Sequence, residues 1–210
     1  MSTPAIRAFT KLELLAVLVT LILLTIIGLA MWSDNGRARA QRIHCVSNLK
    51  QIGLGLRSWA NDHMEKFPWQ VSTNEDGTLE YADSVEVWRH FQGASNELNS
   101  PEILVCPADI SRHRTTQWSA LSNSNISYFL SVNMDALKPG RILAGDRFVS
   151  TNDKVMSGLL IATSSQTLRL VAGGHDKTIN AMMLDGSANQ MSTADLRAAF
   201  SNQTVRLAIP

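Results

Sequence analysis

The sequence predicts an α+β protein in which a long N-terminal helix, one half suited to a bilayer and the other half amphipathic, packs on an antiparallel β-sheet. Three observations lead there. An almost unbroken apolar run fills residues 12–32, apolar side chains then recur at spacings of three and four over 37–63, and short apolar runs punctuated by Gly, Pro, Asn and Asp occupy the rest. With 210 residues there is room for one anchor and one domain of about 150 residues. The formal net charge of +1 leaves no basic field to attract DNA or RNA, so no nucleic-acid partner is expected.

The apolar run comes first. From Leu12 to Trp32 it carries one ionisable side chain, Glu13. About 20 apolar residues suffice for a helix to cross roughly 30 Å of hydrocarbon. Trp32 stands where an interfacial aromatic anchor belongs. A carboxylate within a membrane helix costs about 2.5 kcal/mol or more, so Glu13 calls for a partner or a function. The competing reading is a secretory signal cleaved after the small-x-small triplet Gly28-Leu29-Ala30, which would release a soluble protein. That reading leaves Glu13 unexplained, and the run is longer than a usual signal core.

Before the run lies a short polar leader ending in Arg7 and Ala8; Phe9 and Thr10 follow, and Glu13 stands four residues after Phe9. This arrangement resembles the N-terminus of type IV prepilins and type II secretion pseudopilins. The resemblance implies a pilin-like fold with a prepilin leader at 1–8, a transmembrane helix at 9–32, its amphipathic continuation at 33–63 and a β-rich periplasmic domain at 64–210. It implies cleavage between Ala8 and Phe9 by a prepilin peptidase, N-methylation of Phe9, and pairing of Glu13 with the Phe9 amine of a neighbouring subunit. The implied partners are the peptidase, other pseudopilin subunits, an inner-membrane assembly platform and the lipid bilayer. The implied location is the inner membrane, crossed once, and an envelope filament after assembly. Two residues depart from the family's habit: Ala8 stands where Gly is preferred, and Lys11 stands where an apolar residue is usual. Lys11 can snorkel to the headgroups. Orientation divides the indications. Arg7 and Lys11 precede the span while Arg37, Arg39, Arg42 and Lys50 follow it, which by the positive-inside rule alone would hold the domain in the cytoplasm. The resemblance places it outside, and large domains translocate largely regardless of charge.

Over residues 37–63 the stripe Ile43, Val46, Leu49, Ile52, Leu56 and Trp59 marks one face of an amphipathic helix, with core packing as its role. Ser33-Asp34-Asn35-Gly36 predicts a kink or local melt before it. Gly53 and Gly55 allow a close approach to the helix backbone. The run Cys45, Asn48, Leu49, Lys50, Gln51, Ile52, Gly53 and Leu54, followed by Phe67-Pro68, is similar to C-x-x-N-L-(K/R)-Q-I-G-L…F-P in pilin-like proteins of Planctomycetes and Verrucomicrobia. Pro68 places the helix end near 61–63.

Beyond Pro68 the expected elements are short. They are a turn at 74–78, a helix capped by Ser84 that carries Val85, Trp88 and Phe91, a strand at 103–106, and a polar loop over 112–125. Strands are expected at 126–132, 142–144, 159–163 and 168–172, with Lys138-Pro139-Gly140 as a turn. The clearest hairpin joins 179–184 to 187–191 through Asp185-Gly186, a pair suited to a type I′ turn. A capped helix at 194–200 and an edge strand at 205–209 complete the list.

His175, Asp185 and Gly186 form H-x9-D-G, a second motif of the same pilin-like proteins. A catalytic or metal pair is disfavoured, because ten residues of strand span about 30 Å. The expected role is structural, with Asp185 in the turn. Cys45 and Cys106, the only two cysteines, are either a disulfide linking helix to strand or two buried thiols. Their spacing with respect to His makes no zinc ligand set, so no metal site is expected. Calcium stays open, since Asp135, Asp146, Asp153 and Asp185 fall in turn regions, although no EF-hand spacing occurs. No other cofactor is expected. The chain has no G-x-S-x-G, H-E-x-x-H or Walker motif, and His63, His90 and His113 stand among exposed-looking polar residues. The sequence therefore favours a non-enzymatic, pseudopilin-like filament subunit. The alternative is an exported enzyme or ligand-binding domain carried on a pilin-type anchor.

Overall fold

The structure, a computed structural model, describes residues 10–31, 34–132, 141–152, 154, 156–175, 177–201 and 204–210. Ala8, Phe9, Trp32, Asp135, Asp153 and the expected Lys138-Pro139-Gly140 turn lie outside them. The architecture is α+β, with an apolar N-terminal helix and an antiparallel sheet. It divides into two compact units, 1–40 and 41–210.

In the first unit, helix α1 spans Lys11–Met31. Its Lys11–Leu29 segment has a mean hydropathy of 2.7 and is long and apolar enough to cross a membrane. Its two hydroxyls are satisfied within the helix: Thr20 donates to the Val17 carbonyl and Thr25 to that of Ile22, each at 2.8 Å. Hydrocarbon demands such internal pairing of every polar group.

Helix α2 runs Asp34–Asp62, so Asp34 to Gly36 are helical where a melt was expected. From Gln41 onward it belongs to the second unit, where it buries Cys45, Asn48, Leu49, Ile52, Leu56 and Trp59. That stripe corrects the expected one at its start. Ile43 is 71% exposed, and the core-facing position is taken by Cys45 instead. The expected close approaches are present: a Cβ on Gly53 would lie 1.9 Å from Met182 Cε, and one on Gly55 would lie 3.1 Å from the Glu97 carbonyl. The helix stops in a left-handed turn through Met64 and Glu65 (φ 56° and 61°), with Glu65 N–H returning to the Ala60 carbonyl.

Six strands form the main sheet: β1 (Tyr128–Ser131), β2 (Ile142–Asp146), β4 (Gly158–Ala162), β6 (Ile179–Met183), β7 (Ala188–Met191) and β8 (Val205–Ile209). Their order is β4-β8-β1-β2-β6-β7, antiparallel throughout. Strands β3 (Val149–Ser150) and β5 (Arg169–Leu170) form a separate pair. Side chains alternate between two cores. Tyr128, Leu130 and Met182 pack with the buried stripe of α2, while Phe129, Ala181, Leu160 and Leu207 pack with Phe148, Leu168, Leu196 and Phe200. Covering both faces explains why β1, β2 and β6 are buried at every position. The remaining helices are α3 (Trp88–Gly93), α4 (Ser95–Leu98) and α5 (Thr193–Ala199), the last opened by a capping box between Ser192 and Asp195.

Three expectations need correction. Residues 103–106 are not a strand: Pro101–Leu104 is a 3-10 turn, started by Pro101 and by the Ser100 hydroxyl accepting from Glu102 N–H. β8 is not an edge strand, because it pairs with β1 on one side and β4 on the other. The 179–191 hairpin is present, but its turn is not type I′, which needs positive φ at both central residues. Gly186 has φ 94° whereas Asp185 is not in that region, and Gly186 N–H donates to the Met183 carbonyl. This is a type I turn closed by a glycine bulge. Asp185 accepts from Ser187 N–H at 2.8 Å, which holds its carboxyl below the usual range.

Candidate functional site

At the start of α1, Glu13 is engaged locally. Its Oε2 accepts from Thr10 N (2.8 Å) and Thr10 Oγ1 (3.0 Å), while Glu13 N–H donates to Thr10 Oγ1 (3.2 Å). Thr-x-x-Glu is a capping box, in which the carboxylate and hydroxyl satisfy otherwise orphaned backbone donors. Within one chain, then, Glu13 already has a use.

The second concentration of chemistry is buried beside α2 in the second unit. Cys45 is bridged to Cys106, Cα to Cα 5.1 Å, across a sequence separation of 61. Asn48, one turn on from Cys45, donates to the Val105 carbonyl at 3.2 Å, so the helix is tied to this segment twice. The segment just ahead of β6 brings His175 against the bridge, with Nε2 3.3 Å from Cys106 Sγ. From the end of β2, Asp146 places Oδ2 3.9 Å from the same Nε2. Asp146 Oδ2 is itself fixed by Asn180, through the backbone N–H (2.7 Å) and Nδ2 (3.0 Å). Arg42 donates to the His175 carbonyl at 3.2 Å.

Burial governs the electrostatics here. It pushes the Asp146 carboxyl up to about 7 against the pull of the two Asn180 bonds. Burial, helped by the Arg42 charge, pushes His175 down to about 4. Tyr128, buried beside the Asp146 carboxyl, is raised well above its usual range. The Sγ atoms of Cys45 and Cys106 and a ring nitrogen of His175 all lie within 4.8 Å of one another; joined as a disulfide, the sulfurs are not thiolate ligands.

H-x9-D-G is thus split in space. His175 precedes β6 and packs on the disulfide, whereas Asp185 and Gly186 form the turn at the strand's other end. Of the four carboxylates that leave calcium open, the two described ones, Asp146 and Asp185, do not come together. Asp146 is buried on a strand rather than in a turn, at the end of the β2–β6 ladder opposite to Asp185. A further pair lies elsewhere: Asp109 accepts from Arg147 Nε at 2.7 Å. Burial raises the Asp109 carboxyl, but Arg147 and Ser111 outweigh this and hold it below the usual range.

His90 is corrected outright, being 1% exposed rather than among exposed residues. Its Nδ1 lies 2.7 Å from Thr78 Oγ1, and burial pushes the imidazole down to about 4. Folded His90 stays neutral where the unfolded chain, titrating at 6.5, takes up a proton. Its contribution to stability is therefore complete above 6.5 and lost as pH falls towards 4. Each proton bound preferentially by the unfolded state costs about 1.4 kcal/mol per pH unit. In urea titrations of the detergent-solubilised chain followed by Trp fluorescence, His90→Gln should flatten the decline between pH 6.5 and 4 by about one proton. An unchanged slope would contradict a neutral buried His90.

Sequence reasoning missed the His175–Asp146–disulfide cluster because it searched for local ligand spacing. Cys106 and His175 stand 69 residues apart. The available signal was that both cysteines and the motif histidine border runs destined for the core. No family model, curated protein or solved structure matches the chain.

Proposed function

We propose that the chain is a pseudopilin-like structural subunit, anchored in the inner membrane by α1 with its β-rich domain in the periplasm. A prepilin peptidase cleaves it between Ala8 and Phe9, and an assembly platform packs it with other subunits into a filament of the type II secretion or type IV pilus kind. The observation that carries this reading is the membrane-length helix α1 with Glu13 as its one acid, placed four residues after Phe9. Glu13 caps its own helix with Thr10, and in the filament it also meets the Phe9 amine of a neighbour. The domain behind it suits an exported protein, since its two cysteines are joined in a disulfide.

Mass spectrometry of the membrane-extracted protein tests the reading. The expected result is a mature N-terminus at N-methylated Phe9. A terminus at Met31 would instead identify a cleaved secretory signal and overturn the filament assignment.

A further inference from the structure

We propose that Cys45, Cys106, His175 and Asp146 form a redox-gated zinc site, closed as a disulfide under oxidising conditions and able to bind one Zn²⁺ once the bridge is reduced. The proposal is independent of the filament reading. Three ligand atoms, two sulfurs and one imidazole nitrogen, already lie within 4.8 Å of one another. Tetrahedral zinc with Zn–S about 2.3 Å and Zn–N about 2.0 Å needs ligand atoms about 3.3–3.8 Å apart. His175 Nε2 is 3.3 Å from Cys106 Sγ, the length of one such edge, while Asp146 Oδ2, 3.9 Å from the same nitrogen, stands outside the group of three and has to turn toward the sulfurs to complete it. Reduction lets the sulfurs separate to the required edge by side-chain rotation.

A second observation points the same way. A structural disulfide needs neither an imidazole nor a carboxylate beside it, and burying both is costly. Asp146 Oδ1 and Asn180 Oδ1 are buried without a hydrogen-bond partner among the described residues. Asn180 orients the carboxylate through two bonds, as outer groups do around metal ligands. Two thiolates and an imidazole select zinc over calcium or magnesium.

The chemistry balances with a phosphine as reductant. The phosphorus gives two electrons to the S–S bond and takes oxygen from water, leaving a phosphine oxide and two thiols. Zinc then displaces the two thiol protons and any proton on the Asp146 carboxyl.

The test uses the full chain in detergent, reduced with a phosphine without oxygen and titrated first with Co²⁺ and then with Zn²⁺. Before reduction no stoichiometric binding is expected. After it, one Co²⁺ per chain should bind with thiolate-to-metal charge transfer and the d–d bands of tetrahedral coordination, and Zn²⁺ should displace it. His175→Ala and Asp146→Asn should each weaken binding by at least about tenfold, and Cys106→Ser should lose half of the charge-transfer intensity. The variants that keep both cysteines are checked for folding in the oxidised state. The proposal is overturned by octahedral cobalt, by binding unaffected in His175→Ala, or by a reduced chain that neither binds zinc nor is refolded by it.

Discussion

Replacing Cys106 with Ser should lower the unfolding free energy of the 41–210 unit by about 4 kcal/mol. The bridge closes a loop of 61 residues, and confining a loop of that size removes about 14 cal/mol/K from the unfolded chain on the chain-entropy view. Domains are stable by only about 5–15 kcal/mol, so the loss is a large share of the total. Neighbouring contacts do not compensate. Asn48 still reaches the Val105 carbonyl, but that single hydrogen bond contributes about 1 kcal/mol. Because the bridge itself is what is lost, Cys45→Ser/Cys106→Ser should resemble either single variant rather than sum them. Equilibrium urea unfolding without added metal measures this. A loss below about 1 kcal/mol would mean that the reduced, unfolded chain keeps much of the bridged chain's compactness.

What could be read in advance was whatever depends on local periodicity. The membrane-length run is composition alone, and α2 announced itself by apolar side chains one helical turn apart. Gly53 and Gly55 marked the faces where Met182 and α4 press on the helix. The hairpin at 179–191 was visible because Asp-Gly interrupts two strand-like runs. Errors arose where tertiary context overrode local pattern. Ile43 looked like core by spacing, yet the helix is rotated so that Cys45 meets Cys106. Ile103 to Cys106 looked like a strand, but Pro101 and Ser100 favour a tight turn. The inner position of β8 is invisible in its sequence, because nothing local tells how many neighbours a strand acquires. The capping box Thr10-x-x-Glu13 is legible in the sequence by its spacing. The His175–Asp146 contact was beyond reach, since it depends on how β2 and β6 pair.

Loss of subunit assembly on changing Glu13 is the other large effect expected. In a single chain the carboxylate closes a capping box with Thr10, so it is satisfied without a partner. Inside a bundle of apolar helices an unpaired charge costs several kcal/mol, and in the proposed filament the Phe9 amine of a neighbour would offset it. Two substitutions separate these roles. Glu13→Gln keeps a side chain that can complete the capping box but removes the charge, whereas Glu13→Ala removes both. Lys11→Ala should be mild, because Lys11 can snorkel to water. Both Glu13 variants should stay membrane-inserted and be processed at Phe9. The decisive measurement is cross-linking between subunits in native membranes. The account predicts a multimer ladder for the unaltered chain that is lost in Glu13→Gln as completely as in Glu13→Ala. A ladder in Glu13→Gln as strong as that of the unaltered chain would show that Glu13 only caps its own helix, and would contradict assembly through the Phe9–Glu13 pair.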